Sequence, residues 1–421
     1  MTFPRDWMFR RFQLYGFLKN LRFFDPFLIL FFREMGFSFL DIGLLYSIRE
    51  ICTNILEIPT GVLADAFGRR RAMIASFSAY LASFALFYLF PRFWVYALAM
   101  VLFALGETFR SGTHKAMILE YLRIKKLTDQ RVSYYGHTRA ASQFGSAIAS
   151  LGAAGLVFYA GSYRIVFLAS MVPYVLELFL MISYPKALDG ERHVATGPWS
   201  RRLTGQIATT GKDFLAALRQ PALLKGLFSS AGFDAMFRAT KDYLQPILQV
   251  QALALPVLLS FEADRRVAVV VGVLYFFIYL ATCCASAQAG RVQGWLRSLP
   301  FAINASYLAG AALLVAAGAA AWIDIPGVAI AAFLGVYALQ NLRRPMLVGY
   351  LSELMSHRTM ATGLSVESQL KTICVALFAP LMGLIADLTD IGVGIIVLAG
   401  LLLVLFPWVR ARSTDRTDRP V

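Results

Sequence analysis

The thirteen residues GVLADAFGRRRAM, Gly61 to Met73, decide how the rest of the chain is read. A long apolar run (38–60) ends just before them, and another (72–90) begins as they close. Between the two lie one acid, two glycines and three consecutive arginines. Gly61 has no side chain and lets neighbouring helices approach closely. Asp65 supplies an anion near a membrane surface, and Arg69 to Arg71 suit lipid phosphates and acidic partners. A short arginine-rich turn between two membrane-length apolar runs reads as a cytoplasmic loop.

Outward from this turn the apolar pattern continues through the chain. Of 421 residues, 58% are hydrophobic and only 15% charged, with a mean hydropathy of +0.62. Soluble domains carry about 25% charged residues, so this composition excludes a soluble enzyme, a disordered chain and a collagen-like or disulfide-built protein. A membrane-crossing helix needs about 20 apolar residues. Twelve such runs are readable, at about 13–32, 38–60, 72–90, 93–118, 134–159, 165–184, 226–249, 267–289, 299–322, 326–350, 362–387 and 391–409. The basic start MTFPRDWMFRRF leads straight into the first run and lacks the short core and cleavage site of a removable signal peptide. Cys52, Cys283, Cys284 and Cys374 all lie in apolar runs, without metal-site spacing, and read as small packing residues.

The charge of +15 and pI of about 9.8 would suggest nucleic-acid binding in a soluble chain. Here they follow from loop composition. With the N-terminus inside, 24 of the forty Lys and Arg residues fall in cytoplasmic segments. Five fall in the opposite loops (Arg33, Arg92, Arg164, Arg265 and Arg266). That asymmetry places both termini in the cytoplasm, and no nucleic-acid partner is expected. The hydrophilic stretch 185–225 divides the chain into six-run parts, 1–184 and 226–421. Its Leu203, Ile207, Phe214 and Leu218 recur at helical spacing, as in a short interfacial helix. GQIATTGKD, within it, fails as a phosphate-binding loop because the glycine spacing is wrong and Asp213 replaces the magnesium-binding hydroxyl.

The 61–73 loop resembles the signature of the major facilitator superfamily: Gly61, Asp65 four residues on, then Gly68, Arg69 and Arg70. It lies between runs two and three on the basic side, and the preceding LEIPTG (56–61) fits many bacterial members. A weaker echo, AGRVQGWLR, follows run eight. The resemblance covers essentially the whole chain. It implies an all-α membrane protein of twelve transmembrane helices in two six-helix halves related by pseudo-symmetry. It further implies a secondary active transporter with its site between the halves, and Gly61, Asp65, Gly68, Arg69 and Arg70 as a gate, with Asp65 docking at the start of span eleven.

Ionisable groups inside spans are costly and mark a bundle interior or a watery cavity. In the superfamily, spans one, four, seven and ten line that cavity, and this chain concentrates its charges on them. Span one has Lys19, Arg22 and Asp25; span four has Glu107, Arg110, His114 and Lys115. Span seven has Asp234, Arg238, Lys241 and Asp242 at helical spacing, followed by Pro246, which loosens the helix; span ten has Arg343 and Arg344. The peripheral spans three, six, nine and twelve carry almost none, Glu177 excepted. Either the charges pair internally, as Arg22 with Asp25, Asp234 with Arg238 and Glu367 with Lys371, or they act on a substrate. In the second reading Arg22, Arg110, Arg238, Lys241, Arg343 and Arg344 bind solute, while Asp25, Glu50, Glu107 or Asp234 carries a proton. His114 reads as a packing residue, with no second histidine to make a metal pair. Phe23, Phe24, Phe27, Phe31 and Phe32 read as lipid-facing or as a drug-binding surface, and Gly145, Gly152 and Gly155 as close helix packing.

The expectation is therefore a non-enzymatic carrier in the bacterial inner membrane, working as a monomer without cofactor. It moves a small anionic or zwitterionic solute with protons by alternating access. The competing expectations are proton-driven multidrug efflux and a membrane sensor that no longer transports.

Overall fold

The computed structural model describes residues 6–127, 131–189, 204–205, 208, 221–256, 258–295, 298–355 and 360–411. These residues form helices and connections, with no strand among them. Every one of the twelve apolar runs carries helix. Span 1 is α1 (Trp7–Leu18) and α2 (Leu28–Glu34), span 2 is α3 (Phe39–Phe67) and span 3 is α4 (Arg69–Leu89). Span 4 is α5 (Phe93–Arg110) with α6 (Thr113–Ile124), span 5 is α7 (Arg131–Ala160) and span 6 is α8 (Ile165–Ile182). Span 7 is α9 (Pro221–Thr240) with α10 (Leu244–Ala254), and span 8 is α11 (Ala263–Trp295). Spans 9 to 12 are α12 (Leu299–Trp322), α13 (Pro326–Leu354), α14 (Met360–Leu388) and α15 (Ile391–Val409). The interfacial helix expected around 203–218 lies outside the described residues, apart from 204, 205 and 208.

Three spans are interrupted, and each break has a local cause. In span 1, Pro26 has no N–H to return to the Arg22 carbonyl, and a single turn at Asp25–Phe27 joins α1 to α2. In span 4, Gly112 sits at φ +78, a conformation glycine adopts without strain, and α5 ends against α6 there. In span 7, Pro246 cannot donate to the Asp242 carbonyl, so the helix gives way one turn earlier, at Lys241–Tyr243. The first span begins earlier than its apolar run, at Trp7, because Asp6 caps it by accepting from the Phe9 N–H at 2.9 Å.

Length and composition alone qualify eight helices as membrane-crossing, those of spans 3, 4, 5, 6, 8, 9, 11 and 12, counting α5 and α6 together. Spans 1 and 7 fall short because they are split into shorter helices, and spans 2 and 10 because polar and charged residues lower their hydropathy. The helices cluster into two compact units. One comprises residues 1–31, 52–206 and 257–280; the other comprises 32–51, 207–256 and 281–421. The grouping thus interleaves chain segments.

In the first unit, spans 3, 4 and 6 pack together, and span 1 packs on span 5. Gly16 and Gly145 make the latter contact close: a methyl group at Gly16 would stand 2.6 Å from the Thr138 carbonyl, and one at Gly145 would strike the Phe17 carbonyl. Most of the aromatic run of span 1 is packed in protein rather than facing lipid, with Phe23 half-buried. Phe24, Phe27 and Phe31 are buried in the unit's core, with Phe24 stacked on Phe167 at 5.5 Å; Phe32, in the second unit, is buried as well. In the second unit, span 9 packs on spans 10 and 12, and span 7 on span 11. Gly43 of span 2 faces the Ala379 carbonyl of span 11, where no side chain would fit. Cys283 and Cys284 are exposed, a correction to their reading as packing residues; Cys52 and Cys374 are half-buried.

Candidate functional site

In the first unit, the break in span 1 and the end of α5 bring three sequence candidates to one carboxylate. Arg22 Nη2 lies 3.2 Å from Glu107 Oε2, and Arg110 pairs closely with Glu107 Oε1. The Tyr80 hydroxyl donates to Glu107 Oε2 at 2.5 Å, and Arg110 Nε donates to the Tyr80 oxygen at 3.3 Å. Arg22 Nε donates to Tyr174, whose hydroxyl donates to the Lys19 carbonyl at 3.3 Å. Arg22 therefore pairs with Glu107, while Asp25 opens the connecting turn. Two guanidiniums share one carboxylate that is itself about a third exposed. Partial access of this kind lets an incoming anion compete for the arginines.

His114 is stacked on Tyr15 with ring centres 3.4 Å apart and meets Phe12 edge-on, a packing role that matches its sequence reading. In the sequence, Glu177 of span 6 stands out only as a lone charge in an otherwise bare peripheral helix. It is fully buried, and neither carboxylate oxygen has a hydrogen bond of normal geometry. Its burial could not be read from the chain, because the inward face of a helix is fixed by its neighbours.

The second unit holds a larger and more evenly paired cluster. Arg238 lies 3.0 Å from Asp234 and 3.8 Å from Glu50, which also takes Arg49 at 2.9 Å. Lys371 bridges Asp234 at 3.4 Å and Glu367 at 3.8 Å, and Ser230 donates to Glu367 at 2.7 Å. Gln340 of span 10 donates to Asp234. At the break in span 7, Lys241 and Asp242 pair at 2.5 Å, and Tyr46 donates to Asp242 at 3.1 Å. Spans 2, 7, 10 and 11 are thus tied through one network of ion pairs and the Gln340 amide.

Arg343 stands apart. It is 1% exposed and donates to the Ile303 carbonyl, Ser306 Oγ, the Ser229 carbonyl and Ser229 Oγ at 2.5–3.2 Å. Its guanidinium lies over the Phe233 and Tyr307 rings at 4.8 and 5.3 Å. These contacts tie spans 7, 9 and 10 together. Arg344, next in sequence, is exposed.

The signature loop is held by contacts the sequence reading missed. Gly68 has φ +98 and starts α4 against Asp189, whose carboxylate accepts from the Arg70 N–H at 2.8 Å. The Arg70 side chain donates to the Tyr184 carbonyl at 3.1 Å, and Arg69 to the Ala116 carbonyl at 3.4 Å. Asp189 thus sits at the positive end of α4. Gly61 and Asp65 are exposed. The start of span 11, where the resemblance puts the partner of Asp65, adjoins residues 356–359, which lie outside the described residues.

The family model described as "Major Facilitator Superfamily" matches residues 20–369. The chain belongs to that superfamily. Membership makes it a multi-pass membrane transporter of the secondary type, a class distinct from enzymes, with twelve helices in two six-helix halves. A relative from Bacillus subtilis (strain 168), the uncharacterized MFS-type transporter YxaM, is 33% identical over 90 residues. That alignment spans 21% of this chain and 23% of YxaM. Among solved structures, the nucleoside transporter NupG superposes with a TM-score of 0.74 at 11% identity, covering 95% of this superfamily chain and 98% of NupG. A D-xylose–proton symporter gives 0.67 at 13% identity, covering 97% and 99%. A POT family transporter in complex with 5-aminolevulinic acid gives 0.64 at 12%, covering 95% and 94%. At these identities the likeness is one of fold.

Proposed function

We propose that this chain carries a small anionic or zwitterionic solute together with protons by alternating access. It does so as a monomer in the bacterial inner membrane, with both termini cytoplasmic. The observation that carries this reading is the placement of charge at the broken spans: spans 1, 4 and 7 are interrupted beside Arg22, Arg110 and Lys241. Discontinuous helices next to ionisable groups suit a carrier's binding site. Arg22, Arg110, Arg238, Lys241 and Arg344 are the solute-facing cations in this reading. Arg343 is reassigned from solute contact to helix packing, because its donors are engaged with the protein's own backbone and hydroxyls. Asp25, Glu50, Glu107 and Asp234 are the proton carriers, each positioned among or beside cations. The halves 1–184 and 226–421 rock against each other, and Asp65 with Gly61, Gly68, Arg69 and Arg70 forms the inner gate.

Multidrug efflux draws less support, since most of the phenylalanines of span 1 that suggested it are packed in protein. Flux into liposomes containing the purified protein tests the proposal. Imposing an inward proton gradient should speed uptake of an anionic solute severalfold, and a protonophore should cancel the gain. Uptake indifferent to both would overturn proton coupling; export of lipophilic cations alone would favour efflux.

A further inference from the structure

Besides the ion-paired clusters, the first unit contains a cavity of about 230 Å³ walled by spans 1, 4 and 5. It lies where Gly16 brings span 1 onto Thr138 of span 5. One turn further along span 1 stand Lys19 and Asn20; along span 5 stand Arg139, Ser142 and Gln143. None of the described residues lining it is acidic. The two cations here differ from those of the neighbouring network in having no carboxylate within 4 Å among the described residues. Arg22 and Arg110 are both paired with Glu107. Lys19 is within ion-pair distance of no carboxylate among the described residues, its ammonium lying 5.6 Å from the Tyr15 ring centre. Arg139 is exposed and has no carboxylate partner among the described residues either, and the Gln143 amide has no hydrogen-bond partner among them. Asn20 donates to the Gly16 carbonyl at 2.8 Å, which leaves its side-chain oxygen available.

Two unpaired cations on facing helices, with amides between them, form a receptor for anionic oxygens. Charge-assisted bonds to carboxylate or phosphate are the strongest such a site can make, and unpaired cations inside a membrane unit are otherwise costly. The volume is below the roughly 300–1,000 Å³ of drug-sized sites, which selects a small metabolite. We infer that this cavity binds a small organic anion, a carboxylate or phosphate monoester, between Lys19 and Arg139. The inference rests on the reading of the chain as a carrier of an anionic or zwitterionic solute. It gives that solute a place on spans 1 and 5, and it makes the paired arginines around Glu107 neighbours of the site.

The full chain, purified in detergent, is titrated with succinate, glycerol 3-phosphate, uridine and D-xylose, with melting temperature and calorimetric heat as readouts. Succinate or glycerol 3-phosphate should raise the melting temperature, and whichever binds tells a carboxylate from a phosphate ligand. Lys19→Gln and Arg139→Gln should each weaken that binding at least tenfold, while Arg139→Lys stays within about threefold. Arg139 is exposed, so its variants keep the fold, and an unchanged melting temperature without ligand verifies this. Anion binding that is undiminished in both Gln variants overturns the assignment of the cavity and leaves the carrier of anions standing. If neither anion binds, or only uridine or D-xylose does, the inference and the anionic reading fall together.

Discussion

The two charged clusters are built on different arithmetic. In the second unit, Glu50, Asp234, Asp242 and Glu367 are matched by Arg49, Arg238, Lys241 and Lys371, each within 4 Å of at least one opposite charge. In the first unit, Glu107 lies within 4 Å of both Arg22 and Arg110, while Lys19 and Arg139 have no carboxylate within that distance among the described residues. A balanced network can pass a proton or exchange partners without leaving a bare charge, and an unbalanced one leaves positive charge for an anion to meet. Under the proposed function, the comparison gives anion recognition to the first unit's cluster and charge exchange to the second's.

The strongest way to break this comparison is to remove one carboxylate from each cluster. Glu107→Gln leaves two guanidiniums facing each other with no anion between them. Removing one partner of a buried pair costs about 3–5 kcal/mol; Glu107 is about a third exposed, so the lower end, about 3 kcal/mol, is expected. Asp234→Asn leaves Arg238 with Glu50 and Lys371 with Glu367, so its loss should be about 1 kcal/mol. Melting curves of the two variants in one detergent check the order. Equal losses would show that the clusters do not differ in their spare charge. Succinate should raise the melting temperature of both variants, and by more in Glu107→Gln than in Asp234→Asn.

Much of this is legible in the sequence. Twelve apolar runs, the basic loops and GVLADAFGRRRAM specify the helices, and three-residue and four-residue spacing assembles Asp234, Arg238 and Lys241 on one face. The break in span 7 was legible as a loosening by Pro246; its place one turn earlier follows from the carbonyl that a proline cannot satisfy. What escaped were facts of packing. The same spacing rule applied to span 5 would have flagged Arg139, Ser142 and Gln143 as a polar face in an apolar run. No periodicity shows that Arg343 points into helix contacts, or that Asp189, after a loop of ordinary polarity, returns to the start of α4. Those depend on which surface a neighbouring helix covers.

A middle-sized effect sharpens the picture at the edge of the cation-rich unit. Gly68 holds φ +98, and a Cβ there would stand 3.1 Å from the Asp189 carboxylate. Gly68→Ala should cost about 1–2 kcal/mol from the strained backbone alone and should displace Asp189 from the Arg70 N–H. Asp189→Ala removes the anion without the strain and should cost about 1 kcal/mol. If the two variants lose the same amount, the glycine contributes no conformational strain, and the loop is held by the carboxylate contact alone.

The smallest effect on stability is expected at Glu177, a buried carboxylate of that unit. Glu107 is surrounded by donors, whereas Glu177 is buried without a normal hydrogen bond. A carboxylate left unpaired in an apolar site costs several kcal/mol if ionised, and a glutamine of the same shape removes that cost. If the carboxyl is neutral instead, glutamine replaces it almost isosterically. Glu177→Gln should therefore raise the melting temperature or leave it unchanged, the reverse of Glu107→Gln. A clear fall would mean that Glu177 stabilises the unit as an anion held by a cation. Lys19, whose charge already acts on Glu177, is the candidate, and that result would remove it from the set of charges waiting for a ligand.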